Sequence, residues 1–481
     1  MSEGSVFFLP VRDFCRRQLI TCSVHDSVRT AARKMRERKI SSLIACDSDG
    51  QPTGVMTDRD LRNKVVADGR DAEGLTVADI MTSPVISVGE DDTLFEVLYQ
   101  MSRHRIHRIG VVDADNSLIG FINESDIIRL QNRSPQHLLR AIDEATSVKE
   151  LARIHSESDQ LIVFLSRNGV GTRDLVPLIS LFNDQLTETL YKLLARDRYA
   201  DIGEDSVFMV LGSEGRREQT LKTDQDNAII YADKMAPDKI ARIEEFSQEL
   251  IAALIDIGVP ECPGGIMARN DFWRRSLGEW KRVVSKWVDS PNGDNILNFS
   301  MLSDMRSLCG DSALERELRD FILEKTRSNS IFMARMAQNV VKFSQPLGWF
   351  GRIKVEKSGD HAGKIDLKKA GIFTLTEGIK VMALGVGVFA GSTLEKLNVL
   401  REKKVLSKDQ ATDLEAAFVL LTGLRLRSQV EAASAGSEIN NFISPDSLDR
   451  IEKERVRQAL EVVQTFIGTL KQHFRLDMLR G

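Results

Sequence analysis

The chain has 481 residues, 42% of them hydrophobic and 28% charged, with a formal net charge of −4. That composition suits a globular protein of about three domains, and the lack of any run of five Lys or Arg excludes a strongly cationic polyanion-binding arm. The five scattered cysteines (Cys15, Cys22, Cys46, Cys262, Cys309) form no CxxC pair, so reduced thiols in a cytoplasmic protein are expected, not a zinc or disulfide framework.

At the N-terminus, MSEGSVFFLPVRDF has an acidic residue and an apolar run too short for a secretion signal. The next 120 or so residues contain a repeat. GVMTDRD at 54–60 answers GFINESD at 120–126, and the same offset of 66 links Asp26 to Asp92, Met35 to Met101, Ile40 to Ile106 and Asp47 to Asp113. Each copy reads as a short strand (19–21; 85–87), a helix capped by Ser27 or Thr93, two strands (SSLIACD and PTGVMT; RIGVVD and SLIGFIN), and a last helix from Arg59 or Ser125. His25-Asp26 could suggest a metal phosphohydrolase, but its repeat mate is Asp91-Asp92, which marks a structural position.

The doubled pattern, with Gly-x-x-Thr-x-x-Asp at its end, resembles a tandem pair of CBS domains, at 10–66 and 76–131. The resemblance implies a pseudo-symmetric module with an adenine-nucleotide cleft. Thr57 and Asp60 in the first copy, and Asn123 and Asp126 in the second, would meet phosphate and ribose. Asn123 stands where the pattern has Thr. His104, Arg105, His107 and Arg108 are candidate phosphate contacts, or simply a solvated helix end. A homodimer through this pair is expected.

Residues 136–157 and 175–197 carry apolar residues at three- and four-residue steps and predict helices. SVFMVL at 206–211 reads as a buried strand that runs into GSEGRREQTLKTDQDNAIIY at 212–231. Gly lets the backbone approach a ligand, and free N–H groups at such a turn suit phosphate. Asp224 and Asp226 read as one face of a strand. Two carboxylates there need a cation, and Mg²⁺ (or Mn²⁺) takes carboxylates together with substrate phosphates.

This Gly-Ser turn followed by Asp-x-Asp resembles the DNA polymerase beta nucleotidyltransferase superfamily. The finer text, with ECPGGIMARNDFWRRSLGEWKRVVSKWV and LNFSMLSDMRSLCGD downstream, is similar to the N-terminal domain of protein-PII uridylyltransferase and to bacterial signal-transduction proteins that join it to CBS pairs. The resemblance implies a polymerase-beta-like α+β nucleotidyltransferase domain at 140–320. It implies catalytic and metal-binding roles for Asp224, Asp226 and Asp304, the last on an edge strand at 298–304. Gly212, Ser213, Arg216 and Arg217 would hold nucleotide phosphate, and Glu218 would pair with an arginine near the turn.

From about residue 334 the apolar stripes predict a helical bundle. The resemblance makes 325–475 a nucleotidyltransferase substrate-binding domain, with Lys368, Lys369, Arg425 and Arg427 as possible contacts to the site or as a charged helix face. VMALGVGVFAG at 381–391 is well short of the roughly 20 residues of a membrane span and reads as a buried helix, so no membrane partner is expected. The segment 431–447 reads as an exposed loop. No His…His-Asp pattern follows residue 310, so the demodifying activity of complete PII uridylyltransferases is not expected.

The fold expected is thus an α/β multidomain chain: a tandem CBS module of βαββα repeats, a polymerase-beta-like α+β domain and a C-terminal helical bundle. The function expected is Mg²⁺-dependent transfer of a nucleoside monophosphate from an NTP to a protein or small-molecule acceptor, regulated by adenine nucleotide at the CBS pair. The alternative is a non-catalytic nucleotide-sensing signal-transduction protein. An RNA 3′-end transferase is disfavoured by the acidic balance, and no nucleic-acid partner is expected.

Overall fold

A computed structural model describes residues 11–15, 20–38, 40–104, 106–115, 117–123, 134–196, 198–343, 347 and 353–479. The chain divides into two compact units, Met1–His137 and Leu138–Gly481.

The first unit holds the repeat. In one copy, β1 (Thr21–Ser23) runs parallel to β2 (Ser42–Cys46), which pairs antiparallel with β3 (Pro52–Thr57). In the other, β4 (Ser87–Gly89), β5 (Arg108–Val112) and β6 (Leu118–Asn123) do the same. The register carries the offset read from the sequence: Thr21↔Ile44 answers Ser87↔Gly110, and Ser42↔Thr57 answers Arg108↔Asn123. Helix α1 (Val28–Arg38) buries Val28, Ala31 and Met35. Helix α2 (Asp58–Leu61) ends the first copy, and α3 (Leu94–His104), the counterpart of α1, buries Leu94, Val97 and Met101. Ser27 and Thr93 accept from the backbone of Thr30 and Glu96, so both caps form as expected. The first strands begin two residues later than the sequence suggests. The backbone carbonyls of Ile20 and Ile86 still receive bonds from Ile44 and Gly110, so the pairing fades towards those ends. The helix expected from Ser125 lies outside the described residues.

The unit boundary falls inside α4 (Pro135–Glu144); α5 (Val148–Arg167) and α6 (Thr172–Ala195) then lead into β7 (Ser206–Val210) and the single turn α7 (Gly212–Gly215). Then come β8 (Asn227–Tyr231), α8 (Pro237–Ile257), β9 (Arg274–Ser276), α9 (Leu277–Asp289), α10 (Gly293–Leu302), β10 (Arg306–Gly310) and α11 (Ser312–Arg327). The sheet order is β10-β7-β8-β9. Strand alternation splits the core. Val207, Met209, Ala228 and Ile230 face the C-terminal bundle, while Phe208, Val210 and Ile229 face α5, α6 and α8.

One expected element is corrected. Residues 298–304 are not an edge strand; 298–302 complete α10. The Asn292 side chain caps that helix at Asn295, and Ile296, Phe299 and Leu302 bury one face at three-residue steps, which outweighs the alternation.

The bundle comprises α12 (Ser330–Phe343), α13 (Phe373–Gly385), α14 (Thr393–Glu402), α15 (Lys408–Ala435) and α16 (Arg450–His473). The buried helix expected at 381–391 ends at Gly385. Gly378 is its close contact, where an added Cβ would stand 2.5 Å from the Phe466 ring. The expected loop at 431–447 is partly ordered. Helix α15 runs on to Ala435, and β12 (Phe442–Ile443) pairs with β11 (Ile365–Asp366), burying Ile443. Among the described residues no helix is long and apolar enough to cross a membrane.

Candidate active site

Strands β8 and β10 both run antiparallel to β7, so both begin where β7 ends. That places the segment before β8, with Asp224 and Asp226, and the segment before β10, with Asp304, on opposite sides of the turn at Gly212. The two aspartates precede β8 and do not lie on it, a correction to the strand expected there. Alternation nevertheless holds: Gln225 is buried, Asp224 exposed and Asp226 half-buried.

Gly212 has φ +52, and a Cβ added there would stand 2.7 Å from Asp226 Oδ2. The turn and the carboxylate are therefore in direct contact, with Leu211 N also donating to the Asp226 carbonyl at 2.8 Å. Ser213 sits at the head of the turn, half-buried, and its carbonyl accepts from Glu218 N at 2.8 Å. Behind the turn, a Cβ on Gly215 would fall 1.9 Å from the Asp304 carbonyl oxygen. Burial pushes the Asp226 carboxyl above its ordinary range. Asp224 adds to this, while a hydrogen bond from Cys262 and the charges of Lys368 and Arg216 relieve it. Glu214, buried behind Asp226, is pushed up to about 8 by burial and then by Asp184.

Asp304 is not gathered with the pair, and among the described residues no three His, Cys, Asp or Glu side chains converge to hold a metal. Its carboxylate instead takes Arg216, Lys380 at 2.8 Å and Lys396 at 3.7 Å. Burial alone would raise its pKa; these three cations hold it below the usual carboxylate range. Arg216 also donates from Nε to Glu218 at 2.8 Å, the pairing expected for Glu218. Glu218 further accepts from the backbone and hydroxyl of Thr393 on α14. Arg217, at φ +56, is largely exposed and lies 3.5 Å from Asp184. Thus Gly212, Ser213 and Asp226 come together, Asp224 stands beside them, and Arg216 and Asp304 brace the turn from behind.

Of the bundle cations read from the sequence, Lys368 acts on Asp226, and Arg425 feels the charge of Asp224. Lys369 pairs with Glu356 and Asp366, and Arg427 with Glu452 and Glu431. Sequence reasoning missed Lys380, Lys396, Cys262 and Glu214. Lys380 was findable, as a lone charge inside the apolar run GIKVMALG. The others carry no local signal.

In the first unit a cavity of about 820 Å³ is lined by Thr57, Asp60, His104, His107, Arg108 and Asn123, among others. Asp60 accepts from the backbone and hydroxyl of Thr57 and pairs with Lys64 at 2.8 Å. Arg108 donates to Asn123 and Ser42. Arg105 and Asp126 lie outside the described residues. Asp26, of the His-Asp pair, accepts from Ser23 N and closes a turn.

Family comparisons match this layout. "CBS domain" covers 11–67 and 77–133, "Putative nucleotidyltransferase DUF294" covers 156–294, and "Putative nucleotidyltransferase substrate binding domain" covers 330–474. The chain belongs to the CBS-pair proteins of the DUF294 nucleotidyltransferase family. An uncharacterized protein of Methanopyrus kandleri is 34% identical over 134 residues, 28% of this chain and 66% of that protein. Hypoxic response protein 1 of Mycobacterium tuberculosis is 31% identical over 121 residues, 25% of this chain and 82% of that one. The solved CBS domain protein of Pyrobaculum aerophilum complexed with AMP is 22% identical, with a TM-score of 0.24, covering 26% of this chain and 97% of its own. Each of these three matches covers about a quarter of the chain.

Proposed function

We propose that this DUF294 protein transfers a nucleoside monophosphate from an NTP to a protein or small-molecule acceptor. The observation that carries the reading is the contact between the phosphate-type turn at Gly212 and the Asp226 carboxylate. A partly buried carboxylate pushed towards protonation beside a second one suits a divalent cation, and two carboxylates plus phosphate oxygens are enough for Mg²⁺. Asp224 and Asp226 would hold it. When bound, it would neutralise charge on the triphosphate and acidify the acceptor hydroxyl. Gly212 and Ser213 would bind phosphate through backbone N–H groups. Arg216, fixed between Glu218 and Asp304, would set the turn's shape and add positive potential. Asp304 supports the turn in this reading and is not a third metal ligand.

The cavity in the first unit suits an adenine nucleotide: Asp60 can accept ribose hydroxyls, and His104, His107 and Arg108 border the phosphate end. We propose that it carries the regulatory ligand.

The test is calorimetric binding of Mg·UTP and Mg·ATP to the full chain, with saturating AMP present to fill the CBS cavity. Metal-dependent binding that Asp224→Asn and Asp226→Asn abolish is the expected result, together with loss of α-labelled nucleotide transfer. Equal transfer by Asp226→Asn would sink the proposal. A second reading, a non-catalytic nucleotide sensor, is favoured by the engagement of Asp304 with three cations. It predicts the same binding but no transfer to any component of a cell extract.

A further inference from the structure

Helix α15 passes the Asp224 loop with polar side chains buried on one face. Thr422, Arg425 and Gln429 are 5%, 9% and 1% exposed, and their three- and four-residue steps align them. Gln429 Nε2 reaches the Lys222 carbonyl at 3.5 Å, which sets this face against the loop that carries Asp224. Hydrogen-bonding capacity is left over on both sides. Thr422 Oγ1 and Gln429 Oε1 on the helix, and Gln219 Oε1 and Thr220 Oγ1 on the loop, are buried without partners.

Arg425 spends only its Nε, on Asn441 Oδ1 at 2.6 Å. Among the described residues its two terminal nitrogens have no hydrogen-bond partner and no carboxylate lies within 4.0 Å. The charges of Asp224 and Asp366 reach it only at longer range, and Arg216 opposes them. A guanidinium buried to this degree without a paired anion is costly. Its neighbour Arg427 shows the ordinary arrangement, paired with Glu452 and Glu431. Lys380 and Lys396 are likewise spent on Asp304.

We infer that Arg425 is a nucleotide-binding residue of the transferase site, its two terminal nitrogens gripping a phosphate of the NTP between α15 and the turn at Gly212. The inference rests on the transferase reading above. A planar two-pronged donor matches a phosphate better than any other side chain does. The bundle thereby adds a cationic phosphate donor to the backbone N–H groups of the turn.

The experiment compares Mg·UTP and Mg·ATP affinity by calorimetry, in the full chain with saturating AMP, for Arg425→Gln, Arg425→Lys, Arg427→Gln and Asp226→Asn. Thermal melts check folding. Arg425→Gln is expected to weaken binding roughly tenfold to a hundredfold. Arg425→Lys should weaken it less, and Arg427→Gln not at all. Inorganic tripolyphosphate should displace nucleotide from the unmodified chain. If Arg425→Gln binds like the unmodified chain while Asp226→Asn has lost metal-dependent binding, the transferase reading stands and this inference falls. If the unmodified chain shows no metal-dependent binding, both fall. Should Arg425→Gln not fold, Arg425→Lys decides: unchanged affinity overturns the two-pronged grip, and weakened affinity in a folded protein supports it.

Discussion

Gly212 shows how much one missing side chain decides. Its backbone is left-handed, and a methyl group would collide with Asp226. Gly212→Ala costs about 1–2 kcal/mol for the conformation alone. It also displaces the carboxylate, so transfer of α-labelled nucleotide should fall roughly a hundredfold. Glu214 offers a pH signature. Burial and Asp184 hold its proton up to about 8, whereas an unfolded chain releases it near the ordinary value of 4.5. Its stabilising contribution is therefore complete below about pH 4.5 and is lost as the pH rises to about 8. The urea midpoint should decline across that window, and Glu214→Gln should flatten the decline. At this scale the sequence was legible where glycine chemistry speaks, at Gly212 and Ser213. It was silent at Glu214, because nothing in SEG tells that the glutamate is buried.

Elements meet at the turn. Helix α14 docks there through Thr393, which donates to Glu218, and α13 sends in Lys380, which donates to the Ser300 carbonyl at 2.9 Å and pairs with Asp304. Asp304 thus neutralises cations from three segments. Asp304→Asn leaves buried positive charge without its anion and should destabilise the chain by about 3–5 kcal/mol, read from denaturant unfolding. Asp226→Asn removes a carboxylate that burial and Asp224 already disfavour. It should leave the midpoint equal or higher while abolishing transfer. If the two variants lose stability alike, the division between a bracing and a metal-binding aspartate is wrong. The sequence placed Asp304 on a strand because NFSMLSD alternates, but burial of Ile296, Phe299 and Leu302 on one helix face won.

For the whole molecule the question is coupling. The CBS cavity lies in the first unit and the transferase turn in the second. If adenine nucleotide regulates transfer, AMP must change NTP affinity, and NTP must change AMP affinity by the same factor. Calorimetric titrations in both orders should give equal ratios, and Asp60→Ala should bring the ratio to one. A ratio of one in the unmodified chain would assign the CBS pair another task.

The sequence alone determined the two CBS copies, because one offset of 66 runs through caps, buried helix positions and strand register alike. It also marked the tight turn at Gly212 and the alternating exposure of residues 224–226, which depend on neighbours a few residues apart. These are local rules: period, capping and glycine conformation. Only the tertiary structure decided what each charge does. Thr393 meets Glu218 across 175 positions and Lys380 meets Ser300 across 80. Lys380 and Lys396 are spent on Asp304, while among the described residues Arg425 keeps its terminal nitrogens unspent and feels Asp224 only at longer range. A charged side chain carries no mark of its partner. Burial and distance assign one, and both exist only once the chain has folded.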